Sequence, residues 1–281
     1  MQADASILFR QRVDTPQGDY VATLQQIAVL VSGMEKKAGV GELPVGICTP
    51  GSRSPVTGLM RNANSTCLND QPLLEDLHKA LGRQVRMAND ADCLALSEAL
   101  DGAARNAASV FAVILGTGVG GGWVVNQTLT PAANGIAGEW GHTPLPWMDS
   151  DEYPGATCWC GLQGCIETFL SGPGLTADFL AHSGQSGSAA DIAANAATNG
   201  AAEQALQRYE HRLARALAMI INILDPQVIV LGGGLSNMQR LYAQVPKLWH
   251  QWVFSDVVNT RLVAAEHGDS SGVRGAARLW Q

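Results

Sequence analysis

Three cysteines, Cys158, Cys160 and Cys165, crowd into the run C-W-C-G-L-Q-G-C-I-E (Cys158–Glu167), and His142 closes the run G-E-W-G-H (Gly138–His142) a short loop upstream. Three thiolates and one imidazole nitrogen form a complete tetrahedral ligand set for one zinc ion. Gly161 and Gly164 give the backbone the freedom to turn tightly enough for the sulfurs to converge. Four protein ligands leave no open position for water, so the metal is expected to be structural rather than hydrolytic. Free thiols, a disulfide and an iron–sulfur centre are the competing readings. Cys158 and Cys160 lie too close in sequence to bridge comfortably, and no secretory signal opens the chain. Glu139 and Glu167 flank the ligands without being needed to complete the site.

A second chemical signal is Asn89-Asp90-Ala91-Asp92. An amide and a carboxylate at the end of a strand, directly before a helix, sit where α/β folds place their ligands. Capping of the helix by Asp90 or Asp92 explains the same residues, with equal weight. The third signal is glycine. Gly116-Thr117-Gly118-Val119-Gly120-Gly121-Gly122 lies between two strands, so it is a hairpin that matches neither the Walker nor the Rossmann pattern. Its amides could still cradle a phosphate, with Thr117 adding a hydroxyl. Gly232-Gly233-Gly234-Leu235-Ser236 follows a strand and opens a helix, a nucleotide-friendly arrangement.

The elements that position these residues follow from the apolar patterning. Strands are expected at Ile7–Val13, Pro44–Cys48, Val85–Ala88, Val110–Leu115, Trp123–Asn126, Val228–Leu231 and Arg261–Ala264. Helices are expected at Val21–Lys37, Leu73–Leu81, Cys93–Leu100 and Glu203–Leu224, with a last one closing the chain. Arg61–Gln71 is an asparagine-rich loop, and Ser183–Gly200 is a small, polar surface region with an alanine-rich helix inside it. Alternating strands and helices give an α/β fold. The 281 residues, 46% hydrophobic and 15% charged, suffice for two modest domains. A net charge of -7 argues against nucleic acid or an anionic membrane as partner. No apolar run approaches bilayer length. Cysteines scattered at Cys48, Cys67 and Cys93 fit a reducing cytoplasm.

Taken together, the chain resembles the ROK family of bacterial sugar kinases, and within it the proteobacterial fructokinases. The resemblance runs from Ser6 to Trp280 and rests on N-A-N-S-T (Asn62–Thr66), N-D-A-D (Asn89–Asp92), the Gly116–Gly122 hairpin, G-E-W-G-H, the cysteine run and L-G-G-G-L-S (Leu231–Ser236). It implies an α/β, actin-like ATPase (ribonuclease H-like) two-domain fold. A small N-terminal domain would span residues 1–106, with the closing helix 272–281 packed on it. A large domain with the zinc loop would span 107–271. It implies Asp90 as general base, and Asn64, Asn89, Asp90, Glu139, His142 and Glu167 as the holders of a hexose. The remaining ring nitrogen of a zinc-bound His142 would be free for a hydroxyl or carboxylate. Gly116, Thr117, Gly118 and Gly120 would hold ATP phosphates, and Gly232, Gly233, Gly234 and Ser236 the adenosine, with Mg2+ on the phosphates. Fructose 6-phosphorylation and a cytoplasmic homodimer are the expectations that follow. The family opens with a D-x-G-G-T hairpin, and none occurs near Met1. The small domain is therefore expected to lack its first two strands, through a truncated or misassigned start. A degenerate, non-catalytic sugar-binding relative is the alternative. The repressor branch of the family carries a helix-turn-helix ahead of this fold, and no such pattern stands in this sequence.

Overall fold

The computed structural model describes residues 6–281, the side chain of Asp269 excepted. Its first element is helix α1 (Tyr20–Ala38), started by Asp19, whose carboxylate accepts from the Ala22 amide, and ended by Gly39 in the left-handed region. The stretch expected as a strand at Ile7–Val13 is not one. It forms no strand among the described residues, and Ile7, Leu8 and Phe9 stand exposed. Apolar alternation makes a strand only where an edge is available to pair with it. Here β1 (Val45–Thr49) pairs in parallel with β4 (Val85–Asn89) and with no other strand among the described residues.

Between those two strands the chain makes a short hairpin, β2 (Ser52–Arg53) and β3 (Met60–Arg61), and helix α2 (Leu73–Leu81). Leu73, Leu77, Met60, Leu68 and Val85 form a small core, with Tyr20, Leu24 and Ile27 of α1 packed half-buried against it. Arg83 pairs with Glu35 at 2.6 Å and ties α1 to the loop before β4.

Helix α3 (Asp90–Leu100) leads to a five-stranded sheet. It contains β5 (Ser109–Leu115), β6 (Val119–Val125), β7 (Thr128–Leu129), β8 (Val228–Gly232) and β9 (Arg261–Ala264), in the order β7-β6-β5-β8-β9. β6 runs antiparallel to β5, while β8 and β9 run parallel to it. The central strands β5 and β8 are buried on both faces, and the sheet's core residues divide by parity as a period of two requires. Val110, Ala112, Val124, Val228 and Val230 face α3 through Leu94, Ala95 and Ala99. Phe111, Val113, Leu115, Ile229 and Leu231 face the opposite core.

That second core is built on α4 (Ile166–Leu170), α5 (Gly172–Ser183), α6 (Ala189–Asn195), α7 (Gly200–Leu224) and α8 (Arg240–Leu248). The chain ends in α9 (Ser271–Arg278), which packs against α3 and β1. Its approach is close: a Cβ on Gly275 would lie 1.8 Å from the Cys93 carbonyl, and one on Gly46 1.8 Å from that of Ala276. Glu98, fully buried on α3, fastens the chain before α9 by accepting from the amides of Glu266 and His267 and from the Ser271 hydroxyl. The expected helix at Cys93–Leu100 begins three residues earlier, and the expected Trp123–Asn126 strand is the end of a longer one.

Candidate functional site

β1 and β4 end side by side, Thr49 opposite Asn89, and α3 starts at once. The cap of α3 is Asn89, whose side-chain oxygen accepts from the Asp92 amide at 2.6 Å. With that amide satisfied by Asn89, neither aspartate is needed as the cap. Asp90 accepts from the adjacent Ala91 amide, at 2.9 Å, and stands exposed. The protein around it still removes enough water to raise its carboxyl pKa. Asp92, one helical step on, is pushed up to about 7 by burial, then by the negative charge of Glu139 and Asp90. Asp92 carried no role beyond capping in the sequence, and the signal that finds it is this field.

Glu139 approaches from the other side of the cleft. Burial raises its pKa, His142 opposes that, Asp90 and Glu167 add to it, and Arg61 opposes it again. Arg61 arrives from β3 and donates to the Asn134 carbonyl at 2.6 Å, which bridges the β2–β3 hairpin to the loop before Glu139. Asn64 lies exposed on the loop after β3. Asn69 steadies that loop by accepting from the Ala63 amide at 2.9 Å and donating to its carbonyl at 3.1 Å. Glu139 thus lies in the field of His142, Asp90 and Glu167, and Asp92 in that of Glu139 and Asp90.

The four ligand atoms of His142, Cys158, Cys160 and Cys165 lie within 4.8 Å of one another. His142 presents Nδ1 to Cys158 Sγ at 3.5 Å, and Cys160 Sγ stands 3.6 Å from Cys165 Sγ. A tetrahedron with bonds of about 2.3 Å to sulfur and about 2.0 Å to nitrogen has edges of roughly 3.5–3.8 Å, so the residues fit zinc. Gly161 and Gly164 take φ of 89° and 69°, the left-handed turns that bring the sulfurs together. The preceding loop is held from below by charge: Glu152 accepts from Arg212 and Arg215, each at 2.7 Å, with Arg215 also donating to the Trp147 carbonyl. Burial alone would raise Glu152; the two guanidiniums hold it down to about 2.

Glu167, at the start of α4, joins this knuckle to the glycine hairpin. Its Oε2 accepts from the Val119 amide at 2.9 Å and its Oε1 from the Trp159 indole at 2.6 Å. The hairpin glycines divide into two groups. Gly116 is open, with nothing within 4 Å of the Cβ it lacks. Gly118 makes room for Glu167, and Gly122 for the Ala91 carbonyl, which a Cβ would meet at 2.3 Å. Gly120 lies over Ala91, and Gly232 over Leu94 of α3.

Gly116 and Thr117 edge a cavity of about 840 Å³ that also reaches Gly172, Pro173, Gly234, Leu235, Asn237 and Met238. Gly233, at φ 83°, lets the chain leave β8 under this cavity, while the Ser236 hydroxyl turns back to the Gly233 carbonyl at 2.7 Å. Ala189, Ala190, Ala193 and Ala194 of α6 form a smooth apolar wall. In the sequence that helix reads only as small and polar surface.

Carboxylates at the end of β4 and a glycine-edged cavity beyond the ends of β5 and β8 stand where α/β folds place ligands. The ROK family profile matches residues 1–281, and the chain belongs to the ROK family. N-acetyl-D-glucosamine kinase of Vibrio vulnificus is 38% identical over 274 residues, 96% of this chain and 90% of that protein. Its counterpart in Vibrio cholerae is 39% identical over the same shares. Among solved structures, a ROK hexokinase from Thermus thermophilus superposes with a TM-score of 0.83 at 28% identity, covering 94% of this chain and 87% of that one. A ROK family glucokinase from Streptomyces griseus, in complex with glucose and AMPPNP, gives 0.78 at 25% identity, with 99% and 93% covered. The fold is the actin-like ATPase fold of these kinases.

Proposed function

We propose that the protein is an ATP-dependent hexose kinase in which Asp90 is the general base. The observation that carries this reading is Asp90 itself. It is an exposed carboxylate, bonded through backbone amides of its own turn, and held above its ordinary pKa. Such a group can accept the proton of a sugar hydroxyl as that oxygen attacks phosphorus. Phosphoryl transfer asks the protein mainly for positioning and charge neutralisation, and ATP with Mg2+ supplies the phosphoryl group and its counter-charge. The cavity edged by Gly116, Thr117 and Gly234 is of nucleotide size, and its alanine and methionine walls suit a flat base.

Sugars are neutral and rich in hydroxyls, so their site needs fixed acceptors and donors. Glu139, Glu167, Asn64 and the free ring nitrogen of His142 supply these, with zinc on His142, Cys158, Cys160 and Cys165 as a rigid floor. We place the small lobe at 1–106 with the closing helix 272–281, and the large lobe at 107–271. The separate core around Met60, Leu73 and Leu77 and the packing of α9 on β1 support that division. The names of the relatives favour N-acetyl-D-glucosamine as the hexose over the fructose that the sequence resemblance suggested. A coupled assay with N-acetylglucosamine, N-acetylmannosamine, glucose and fructose tests this. The highest kcat/KM is expected for N-acetylglucosamine; a preference for fructose would reverse the choice of sugar, and no turnover with any would contradict the kinase reading.

A further inference from the structure

Trp159 has entered so far only as a hydrogen-bond donor to Glu167. It sits between two cysteines of the knuckle and is 64% exposed, so burial does little to hold its ring. Two contacts fix it instead. The indole packs edge-on against His142, with centroids 4.8 Å apart and planes at 87°. Its Nε1–H donates to Glu167 Oε1 at 2.6 Å, a charge-assisted bond. Glu167 Oε2 is taken by the Val119 amide of the hairpin. A carboxylate held at both oxygens cannot rotate, while each oxygen keeps a further lone pair for a ligand.

We propose that Trp159 is a positioning residue for the sugar. It locks the Glu167 carboxylate in the orientation that a hexose hydroxyl meets, and its ring walls the cleft beside His142. This rests on the reading of Glu167 and His142 as sugar contacts. Affinity for the hexose should depend on Trp159, whereas the nucleotide, bound beyond the hairpin, should not sense it.

Trp159→Phe keeps a ring against His142 and removes only the N–H donor. Loss of one such bond should raise the sugar KM about fivefold, with kcat and the ATP KM within about twofold and metal content unchanged. An unchanged sugar KM, or an equal rise in the ATP KM, would overturn the proposal. NMR reads the contact independently of activity. The Trp159 indole N–H resonance, assigned by its loss in Trp159→Phe, should move upfield in Glu167→Ala and move again when sugar is added to the wild type. A resonance indifferent to Glu167→Ala would overturn the positioning role even in an active kinase. A resonance that answers to Glu167→Ala, in a protein with no hexose turnover, would instead overturn the sugar-site reading on which the proposal rests.

Discussion

Two aspartates one residue apart in the first turn of α3 behave differently because their surroundings differ. Asp90 faces the cleft, while Asp92 is turned toward Glu139 and away from water, which lifts it to about 7. A carboxyl with a folded pKa above its unfolded value stabilises the fold while protonated. That stability is present below about pH 4 and is lost as pH rises through about 7. Asp92→Asn removes the penalty of charging. Denaturant unfolding should therefore show the variant more stable than wild type at pH 8, by on the order of 2–4 kcal/mol, and similar at pH 4. A variant less stable than wild type at pH 8 would show that Asp92 is ionised and paired there. Position in the sequence left Asp90 evenly divided between ligand site and cap. It gave Asp92 no role beyond capping, because the field that shifts it comes in part from Glu139, 47 residues away in the chain (139 − 92).

At the scale of the element, the glycine hairpin read in the sequence as one phosphate cradle, whereas its residues answer to separate constraints. Gly122 is required by α3, whose Ala91 carbonyl lies where a Cβ would go, while Gly116 opens into the cavity. Gly122→Ala should destabilise by about 2 kcal/mol or more through overpacking, and Gly116→Ala by less than about 1 kcal/mol. Thermal denaturation of the two variants checks this, and an equal loss in both would contradict the division. Spacing cannot separate the two kinds of glycine, since the partner that crowds Gly122 is a helix distant in sequence. The convergence of His142, Cys158, Cys160 and Cys165, by contrast, was legible, since it is specified by residue type and local turns. The alanines of α6 were not, because alanine on a helix carries the same pattern whether it faces solvent or a ligand cavity.

For the molecule as a whole, strand positions were largely readable. Buried parallel strands are continuous apolar runs, and β5, β8 and β9 fell where such runs stood. The expected strand at Ile7–Val13 failed because pairing is a property of the sheet and not of the segment. Helix α3 links the parts of the proposed site. It carries Asp90 at its start, packs on the five-stranded sheet, and is gripped by α9 through Glu98, Asp101 and their partners. Cleft and cavity meet across the hairpin, whose Val119 amide bonds Glu167 on one side while Gly116 and Thr117 edge the cavity on the other. The central claim is that Asp90 takes the proton of a hexose bound in this cleft. The direct test is Asp90→Asn, measured by calorimetric titration with the preferred hexose and by steady-state turnover with ATP. The account expects hexose affinity within about threefold of wild type and turnover lower by roughly 10²–10⁴-fold. Turnover within tenfold of wild type, with the hexose still bound, would contradict it.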